Sequence, residues 1–334
     1  MAADRYPAFW RHDGVGARVL RPLEWLFRQV VGYRQRHADD MAQWVGAPVV
    51  VVGNLSVGGT GKTPLVIWLV QAAAEMGFQP GVVLRGHRGS ATAITPVAPD
   101  SDPREKGDEA VLLAQRTQRP VMIGRDRVAA ASTLLETTTV DLVISDDGLQ
   151  HYALGRDVEI AVIDAARGHG NGRCLPAGPL REPVERLRAV DLVLGNGAPV
   201  PDGSGMFEIT PGTLQALAEP AASRRRPPMP GARVHAVAGL GNPDRFFTTL
   251  ASLGFDVQPH PLGDHHRFHA GDLQFDDTAP VIMTEKDAVK CWSIAPANSW
   301  YLPVHARPDA PTAARLRDLL GLARQRFADR QANS

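Results

Sequence analysis

The sequence predicts an α/β protein with a P-loop NTPase-type doubly wound parallel sheet, a second, smaller α/β lobe and an N-terminal amphipathic helix. Short continuous runs of apolar, mostly β-branched residues recur along the chain, as in parallel strands buried on both faces. Helical patterns lie between several of these runs, and such alternation is typical of a parallel sheet. A glycine-rich loop follows the first run and precedes a helix, which indicates where a phosphate could bind.

The composition limits what the protein can be. Its 334 residues suggest about two domains. The 36 basic residues balance 36 acidic ones, so no overall field favours a polyanion, and nucleic acid is not expected as a partner. The two cysteines, Cys174 and Cys291, lie in neither a disulfide framework nor a metal-ligand spacing, which fits a reducing cytosol. There is no signal-peptide pattern and no run of about 18 apolar residues, so we expect a protein that is neither exported nor membrane-spanning.

Residues 22–36 predict the N-terminal helix, within a segment that we place at 1–40. Apolar residues recur there at helical spacing: Leu23, Leu26, Phe27, Val30 and Val31, with Val19 and Leu20 one turn earlier. The other face carries basic and aromatic residues: Arg18, Arg21, Arg28, Arg34, Arg36, Trp25 and Tyr33. This composition suits a helix at a membrane interface. A surface helix packed on the body shows the same moderate amphipathicity, and these residues alone favour that interpretation.

The P-loop core is predicted over residues 41–222 and the second lobe over 223–334. In the core, the run 49–52 predicts the first buried strand, and 64–76 predicts the helix after the loop. Further strands are predicted over 82–84, 121–123, 142–144, 160–163 and 192–194. A stretch rich in Pro and Arg at 218–232 predicts the linker. The second lobe is predicted to hold strands over 234–238 and 281–283 and a helix over 246–253.

The loop after the first strand predicts a phosphate site. It reads Ser56, Val57, Gly58, Gly59, Thr60, Gly61, Lys62 and Thr63, which ends in the GK[ST] of a P-loop but has Ser56 at the first glycine position. The glycines allow backbone N–H groups to close around phosphates at the positive end of the next helix. Lys62 can reach the β- and γ-phosphates, and Thr63 can bind Mg²⁺.

Acidic residues at other predicted boundaries are further candidates. Asp146 and Asp147 follow the apolar run 142–144, where a Walker-B type aspartate would hold Mg²⁺. Asp108 opens a helix, and the sequence alone leaves open whether it caps that helix or takes part in catalysis. The stretch 264–266, Asp-His-His, has only a faint likeness to a metal site, and its residues alone assign it no role.

Three segments together resemble one family, the tetraacyldisaccharide 4′-kinases, or lipid A 4′-kinases, of Gram-negative bacteria. They are the P-loop 56–63, the stretch 146–151 (Asp-Asp-Gly-Leu-Gln-His), and residues 170–183 (Gly-Asn-Gly-Arg-Cys-Leu-Pro-Ala-Gly-Pro-Leu-Arg-Glu-Pro). The likeness extends from the N-terminal helix to residues 284–290, nearly the whole chain, and the family's own P-loop has Thr or Ser where Ser56 lies. It implies ATP- and Mg²⁺-dependent phosphorylation of the 4′-hydroxyl of a tetraacylated glucosamine disaccharide 1-phosphate, at a site between two α/β lobes.

The resemblance also implies roles for individual residues. Lys62 and Thr63 would bind phosphates and Mg²⁺, and the metal-associated motifs contain Asp146, Asp147 and Glu182. Asp108 matches the general base and His265 the histidine paired with it, while Arg127 and Arg181 match basic positions near the phosphates. The lipid substrate implies an enzyme at the cytoplasmic face of the inner membrane, so membrane docking becomes the favoured role of the N-terminal helix. No obligate protein partner is implied.

One segment departs from the family, and one rival hypothesis is open. Residues 84–88 read Leu-Arg-Gly-His-Arg where the family commonly has Ser-Arg-Gly-Tyr-Gly, so the role of that aromatic does not transfer to His87. The rival is a P-loop GTPase-like switch or metallochaperone whose second lobe binds a protein. Guanine-reading proteins usually carry N/T-K-x-D, whereas no residue separates Lys286 from Asp287, and the predicted core has no Cys/His cluster for a metal.

Overall fold

The computed structural model describes residues 7–86, 93–217, 226–264 and 266–333. Within these ranges, 7–209 and 306–333 form a large unit, and 210–305 form a small unit. The strands are β1 (Val49–Gly53), β2 (Pro80–Leu84), β3 (Thr95–Val97), β4 (Val121–Ile123), β5 (Leu142–Asp146), β6 (Val158–Asp164), β7 (Leu192–Asn196), β8 (Gly205–Pro211), β9 (Gln215–Ala216), β10 (Arg233–Ala238), β11 (Asp256–Pro261), β12 (Val281–Thr284), β13 (Ser299–Leu302) and β14 (Val304–Pro308). The helices are α1 (Val15–Val19), α2 (Arg21–Arg36), α3 (Ala38–Met41), α4 (Lys62–Glu75), α5 (Pro103–Lys106), α6 (Asp108–Thr117), α7 (Arg127–Thr137), α8 (Asp244–Ser252), α9 (Glu285–Ala288) and α10 (Ala310–Ala332).

The large unit is built on a sheet in which nine strands of the described chain follow the order β14-β8-β7-β6-β1-β5-β2-β4-β3. Its central strand β1 pairs in parallel with both β5 and β6, so that Val50 lies opposite Ile144 and Val158. Every residue of β1 is buried, as expected for a parallel strand covered on both faces. Strand β3, at one edge, is antiparallel to β4. The predicted doubly wound parallel sheet is confirmed.

The strand order places a topological switch at β1. The chain adds β2 to β5 on one side of β1 and then crosses to β6 on the other. In open α/β sheets, ligands bind outside the carboxyl ends of the strands at such a switch. The P-loop leaves β1 at this position, so the fold puts the predicted phosphate site where a ligand is expected.

The small unit has its own sheet, in which five described strands follow the order β11-β10-β12-β13-β9. These strands are parallel except for β9, which is antiparallel to β13. Helix α8 packs against the sheet through the buried side chains of Phe246 and Leu250. The predicted second α/β lobe is therefore present.

The boundaries of the two units differ from the predicted ones. The sequence predicts α10 within the second lobe of 223–334, but this helix belongs to the large unit, because Leu316 and Leu320 are buried there and Arg326 donates to Asp191 at 2.8 Å. The small unit also begins at Thr210, well before the predicted start. Much of the predicted linker, residues 218–225, lies outside the described residues.

The apolar residues of the N-terminal segment do not share one environment. Val31 is buried, and Phe27 packs against the core of the large unit. A second set on α1 and α2 is more than half exposed, and we call it the apolar face: Val15, Val19, Leu23, Leu26 and Val30. Residues 1–6 of the predicted segment lie outside the described residues. In the described part of the chain, no helix has the length and apolar character needed to cross a membrane.

Candidate active site

Two glycines in the left-handed region shape the P-loop. Gly58 has a φ of 89°, and Gly61, directly before α4, has a φ of 87°. A Cβ on Gly61 would lie 2.4 Å from the side-chain nitrogen of Asn196, so a larger residue does not fit. Helix α4 begins at Lys62, two residues before the predicted start at Pro64. The N–H groups of its first turn have no partner within the helix and are available to an anion.

Lys62 and Arg181 converge on Asp147. The Lys62 Nζ lies 3.3 Å from Asp147 Oδ1 and donates to Asn54 Oδ1 at 2.9 Å. The Arg181 guanidinium donates to both oxygens of Asp147 at 3.1 and 3.0 Å. Partial burial works to raise the pKa of Asp147, but Lys62 and then Arg181 outweigh it and hold that pKa well below its usual value. This carboxylate is therefore charged, and it fixes both cations beside the P-loop.

Asp146 is the neighbouring carboxyl in sequence, but its environment is the opposite. It ends β5, is 3% exposed, and its Oδ1 has no hydrogen-bond partner in the described part of the chain. Burial raises its pKa to about 7, against the attraction of Lys62. A buried carboxylate oxygen without a partner suits an oxygen-seeking cation such as Mg²⁺. Asp146 therefore fits the predicted metal-binding role.

Arg127 is a buried cation at the start of α7. Its guanidinium donates to the backbone oxygens of Gly124 at 3.3 Å and of Asp146 at 3.4 Å, while its Nε finds no partner among the described residues. Burial lowers its pKa to about 10, although Asp147 and Asp146 oppose that shift, so it remains charged at neutral pH. A buried cation with an unused donor is suited to bind a phosphate oxygen.

Sequence reasoning missed several polar residues around the P-loop. Asn54 accepts from Lys62, and Asn196, at the end of β7, donates to the backbone oxygen of Thr60 at 3.0 Å. Side-chain atoms of Ser145, Asn196 and His151 are buried without a partner in the described part of the chain, as is the hydroxyl of Thr60, a P-loop residue that the sequence did predict. Their position at or after strand ends was readable from the sequence, but their convergence depends on the strand order.

Glu182 is buried, and its two oxygens accept hydrogen bonds from three side chains. The Tyr152 hydroxyl and Gln35 Nε2 donate to Oε1, the latter at 3.3 Å, and Gln150 Nε2 donates to Oε2 at 2.8 Å. Burial, and then the charge of Glu182, raise the pKa of Tyr152 to about 12, so that hydroxyl keeps its proton and remains a donor. The structure thus places Glu182 in a network of amide and phenol donors next in sequence to Arg181.

The remaining predicted residues are only partly described. Asp108 begins α6, is buried, and its Oδ1 accepts from the backbone N–H of Glu109 at 2.9 Å. The charge of Glu109, the next residue, contributes to the raised pKa of Asp146. His265 and His87 lie outside the described residues. The predicted pairing of Asp108 with His265 stays a prediction.

Comparison with known proteins gives a consistent result. The family model described as LpxK, tetraacyldisaccharide-1-P 4′-kinase, matches residues 16–321. The chain is 54% identical to the tetraacyldisaccharide 4′-kinase of Alkalilimnicola ehrlichii, over 93% of this chain and 95% of that protein. It is 49% identical to the enzyme of the same name from Pseudomonas fluorescens, over 92% and 93% of the two chains. Its fold is similar to the crystal structure of LpxK from Aquifex aeolicus in complex with ATP, with a TM-score of 0.76 and 23% identity over 92% of this chain and 99% of that one.

Proposed function

The chain belongs to the tetraacyldisaccharide-1-P 4′-kinase family, and on that premise we propose that it transfers the γ-phosphate of ATP to the 4′-hydroxyl of a tetraacylated disaccharide 1-phosphate. One observation supports placing this reaction at the P-loop. Lys62, on the P-loop at the topological switch, lies between Asn54 and Asp147 and beside a buried carboxylate with an unused oxygen. The family also disfavours the rival switch or metallochaperone.

The P-loop residues Ser56 to Thr63 bind the nucleotide phosphates in this proposal. The backbone N–H groups before and within the first turn of α4 donate to phosphate oxygens, and Lys62 supplies a cation to the β- and γ-phosphates. Arg127 and Arg181 supply further positive charge where negative charge develops on the transferred group. Because these donors are fixed by the fold, little reorganisation is needed at the moment of reaction.

The residues present also fit a magnesium ion. Thr63, Asp146 and Asp147 would hold it, and bound Mg²⁺ would neutralise charge on the β- and γ-phosphate oxygens. Glu182, which the sequence places in the same set, acts behind them in this proposal, because it is buried and its oxygens already accept three hydrogen bonds, whereas the Asp147 side chain is 40% exposed. Its part is to orient Gln150 and, through it, Arg181.

A sugar hydroxyl needs a proton acceptor before it attacks a phosphoryl group. Asp108 is a buried carboxyl at the start of α6 and takes this role as general base in the proposal. His265 would orient it. If the two act as one unit, the Asp108→Asn and His265→Gln variants should lose the same step, and the double variant should be little slower than the worse single one. Independent, additive losses would reject the pair.

The substrate's acyl chains give the apolar face of α1 and α2 a role. Its exposed residues would enter the headgroup boundary of the inner membrane on the cytoplasmic side, while nearby arginines such as Arg18 and Arg28 meet anionic lipid. The pairing of exposed apolar and basic residues on short N-terminal helices supports this docking. It needs no nucleic acid and no obligate protein partner.

The proposed reaction is tested by following phosphate transfer from ATP and from GTP, with and without the lipid disaccharide. We expect turnover that requires both ATP and the disaccharide, and a phosphorylated lipid as the product. GTP hydrolysis that proceeds without the disaccharide would overturn the proposal and favour the switch.

A further inference from the structure

A hydrogen-bonded network connects the last turns of α2 to the P-loop lysine. Gln35 Nε2 donates to Glu182 Oε1 at 3.3 Å, and the Arg34 guanidinium donates to the backbone oxygen of Gln150 at 3.1 Å. Arg34 also lies over the ring of Tyr152, 5.6 Å from its centroid. The C-terminal end of α2 therefore touches each of three neighbouring residues, Glu182, Gln150 and Tyr152, in one polar network.

The network continues from Gln150 to the phosphate site. Gln150 Nε2 donates to Glu182 Oε2 at 2.8 Å and to the backbone oxygen of Asn54 at 3.1 Å. Its Oε1 accepts from Arg181 at 3.4 Å, and Arg181 in turn holds Asp147 beside Lys62. The contacts therefore run from Glu182 through Gln150 and Arg181 to Asp147 and Lys62.

Helix α2 is also anchored to the segment that carries Glu182 at a second point. The buried Glu24 accepts from the backbone N–H of Cys174 at 3.0 Å and from the Arg173 guanidinium at 3.2 Å. The two anchors, Glu24 and Gln35, lie near opposite ends of the helix. A buried carboxylate such as Glu182 needs donors, and of its three described donors only Gln35 comes from the N-terminal helices.

We propose that Gln35 is a positioning residue, through which α2 orients Glu182, Gln150 and Arg181 for phosphoryl transfer. The inference rests on the proposed function, since it gives α2 a part in that reaction besides membrane docking. Loss of the Gln35 amide removes a donor from a buried carboxylate and frees Glu182 and Gln150 to shift. Arg181 then meets the transferred phosphoryl group less well, which affects the transition state more than substrate binding.

The test compares Gln35→Met with Gln29→Met, because methionine has nearly the helix propensity of glutamine but cannot donate. Gln29 lies exposed on the same helix and is the matched control. We expect Gln35→Met to lower kcat about tenfold, the effect of losing a hydrogen bond to a charged group, with the KM for the disaccharide and the vesicle binding unchanged. Gln35→Lys restores a donor and should recover most of the loss, which also separates positioning from a general effect on folding.

A double variant shows whether Gln35 acts through Glu182. In the Glu182→Gln background, Gln35→Met should cause no further loss of kcat. A full additional loss, equal losses in Gln35→Met and Gln29→Met, or a rise in KM without a fall in kcat would overturn the inference. Full activity of Glu182→Gln would also overturn it, yet leave the proposed function intact, because that function is tested separately, by whether phosphate transfer requires ATP and the disaccharide.

Discussion

Each unit of the molecule has a buried aspartate at the carboxyl end of a parallel sheet, and the two aspartates differ in their partners. In the small unit, Asp287 accepts from the N–H of Gly239 at 2.8 Å and the hydroxyl of Thr284 at 2.7 Å, and the Lys290 Nζ lies 2.7 Å from its other oxygen. In the large unit, Asp146 keeps an oxygen with no partner in the described chain. Two hydrogen bonds to one oxygen and an ion pair at the other let Asp287 hold its loop in place, whereas Asp146 Oδ1, which has neither kind of partner among the described residues, is available for a ligand.

The largest expected effect is a difference in kcat between a variant at the P-loop and a variant beside Asp287. Lys62→Ala removes a cation from the transferred phosphoryl group and should lower kcat about 10²-fold or more at saturating ATP. Lys290→Ala, the corresponding loss of a cation beside Asp287, should leave kcat near normal for the protein that remains folded. Steady-state kinetics of both variants decide the matter. A Lys62→Ala enzyme with near-normal kcat would remove the P-loop from the reaction.

The next effect is a difference in stability between variants of Asp287 and of Asp146. Asp287→Ala deletes the acceptor of two hydrogen bonds and leaves Lys290 without its ion partner, which should lower the free energy of unfolding by roughly 3–5 kcal/mol. Asp146→Asn removes a charge that burial disfavours, so it should not lower the melting temperature. It should abolish activity, because the carboxylate proposed to bind Mg²⁺ is lost. Thermal melts run beside activity assays show both. A lower melting temperature for Asp146→Asn than for Asp287→Ala would contradict this difference between the two aspartates.

The pH dependence of stability gives a smaller effect of defined sign. The pKa of Asp146 is raised to about 7, whereas an aspartate in the unfolded chain titrates near 4. Between these values the folded protein keeps a proton that the unfolded chain has lost, so the free energy of unfolding should fall as pH rises from about 4 to about 7. Asp147 has a lowered pKa, and the stability that it contributes is lost only below about pH 4. Urea titrations across pH should show a shallower fall for Asp146→Asn than for the native chain.

The sequence predicted the elements that rest on local chemistry. The signals for the four valines of β1, the P-loop glycines and the two aspartates at the end of β5 each lie within a few residues. The structure has the valines in β1, the glycines after it, and the aspartates at the last position of β5 and directly after it. The opposite pKa shifts of Asp146 and Asp147 were not predictable, because the first depends on how deeply the folded chain buries that carboxyl and the second on Lys62 and Arg181 arriving from other segments. The same reason explains why the placement of α10 and the contact between Gln35 and Glu182 were missed.

The smallest expected effect comes from removing one threonine hydroxyl in each unit, that of Thr284 beside Asp287 and that of Thr60 on the P-loop. The Thr284 hydroxyl donates to Asp287 and accepts from its backbone N–H at 3.1 Å, which caps α9. Thr284→Val should therefore lower the free energy of unfolding by about 1–2 kcal/mol. The Thr60 hydroxyl is also buried but has no partner in the described residues, so the isosteric Thr60→Val should not lower stability.

If the Thr60 hydroxyl is kept for a phosphate oxygen, Thr60→Val should weaken ATP binding instead, and calorimetric titration with ATP measures this directly. Equal losses of stability in the two variants, with ATP affinity unchanged, would mean that the unsatisfied groups of the large unit are not reserved for a ligand.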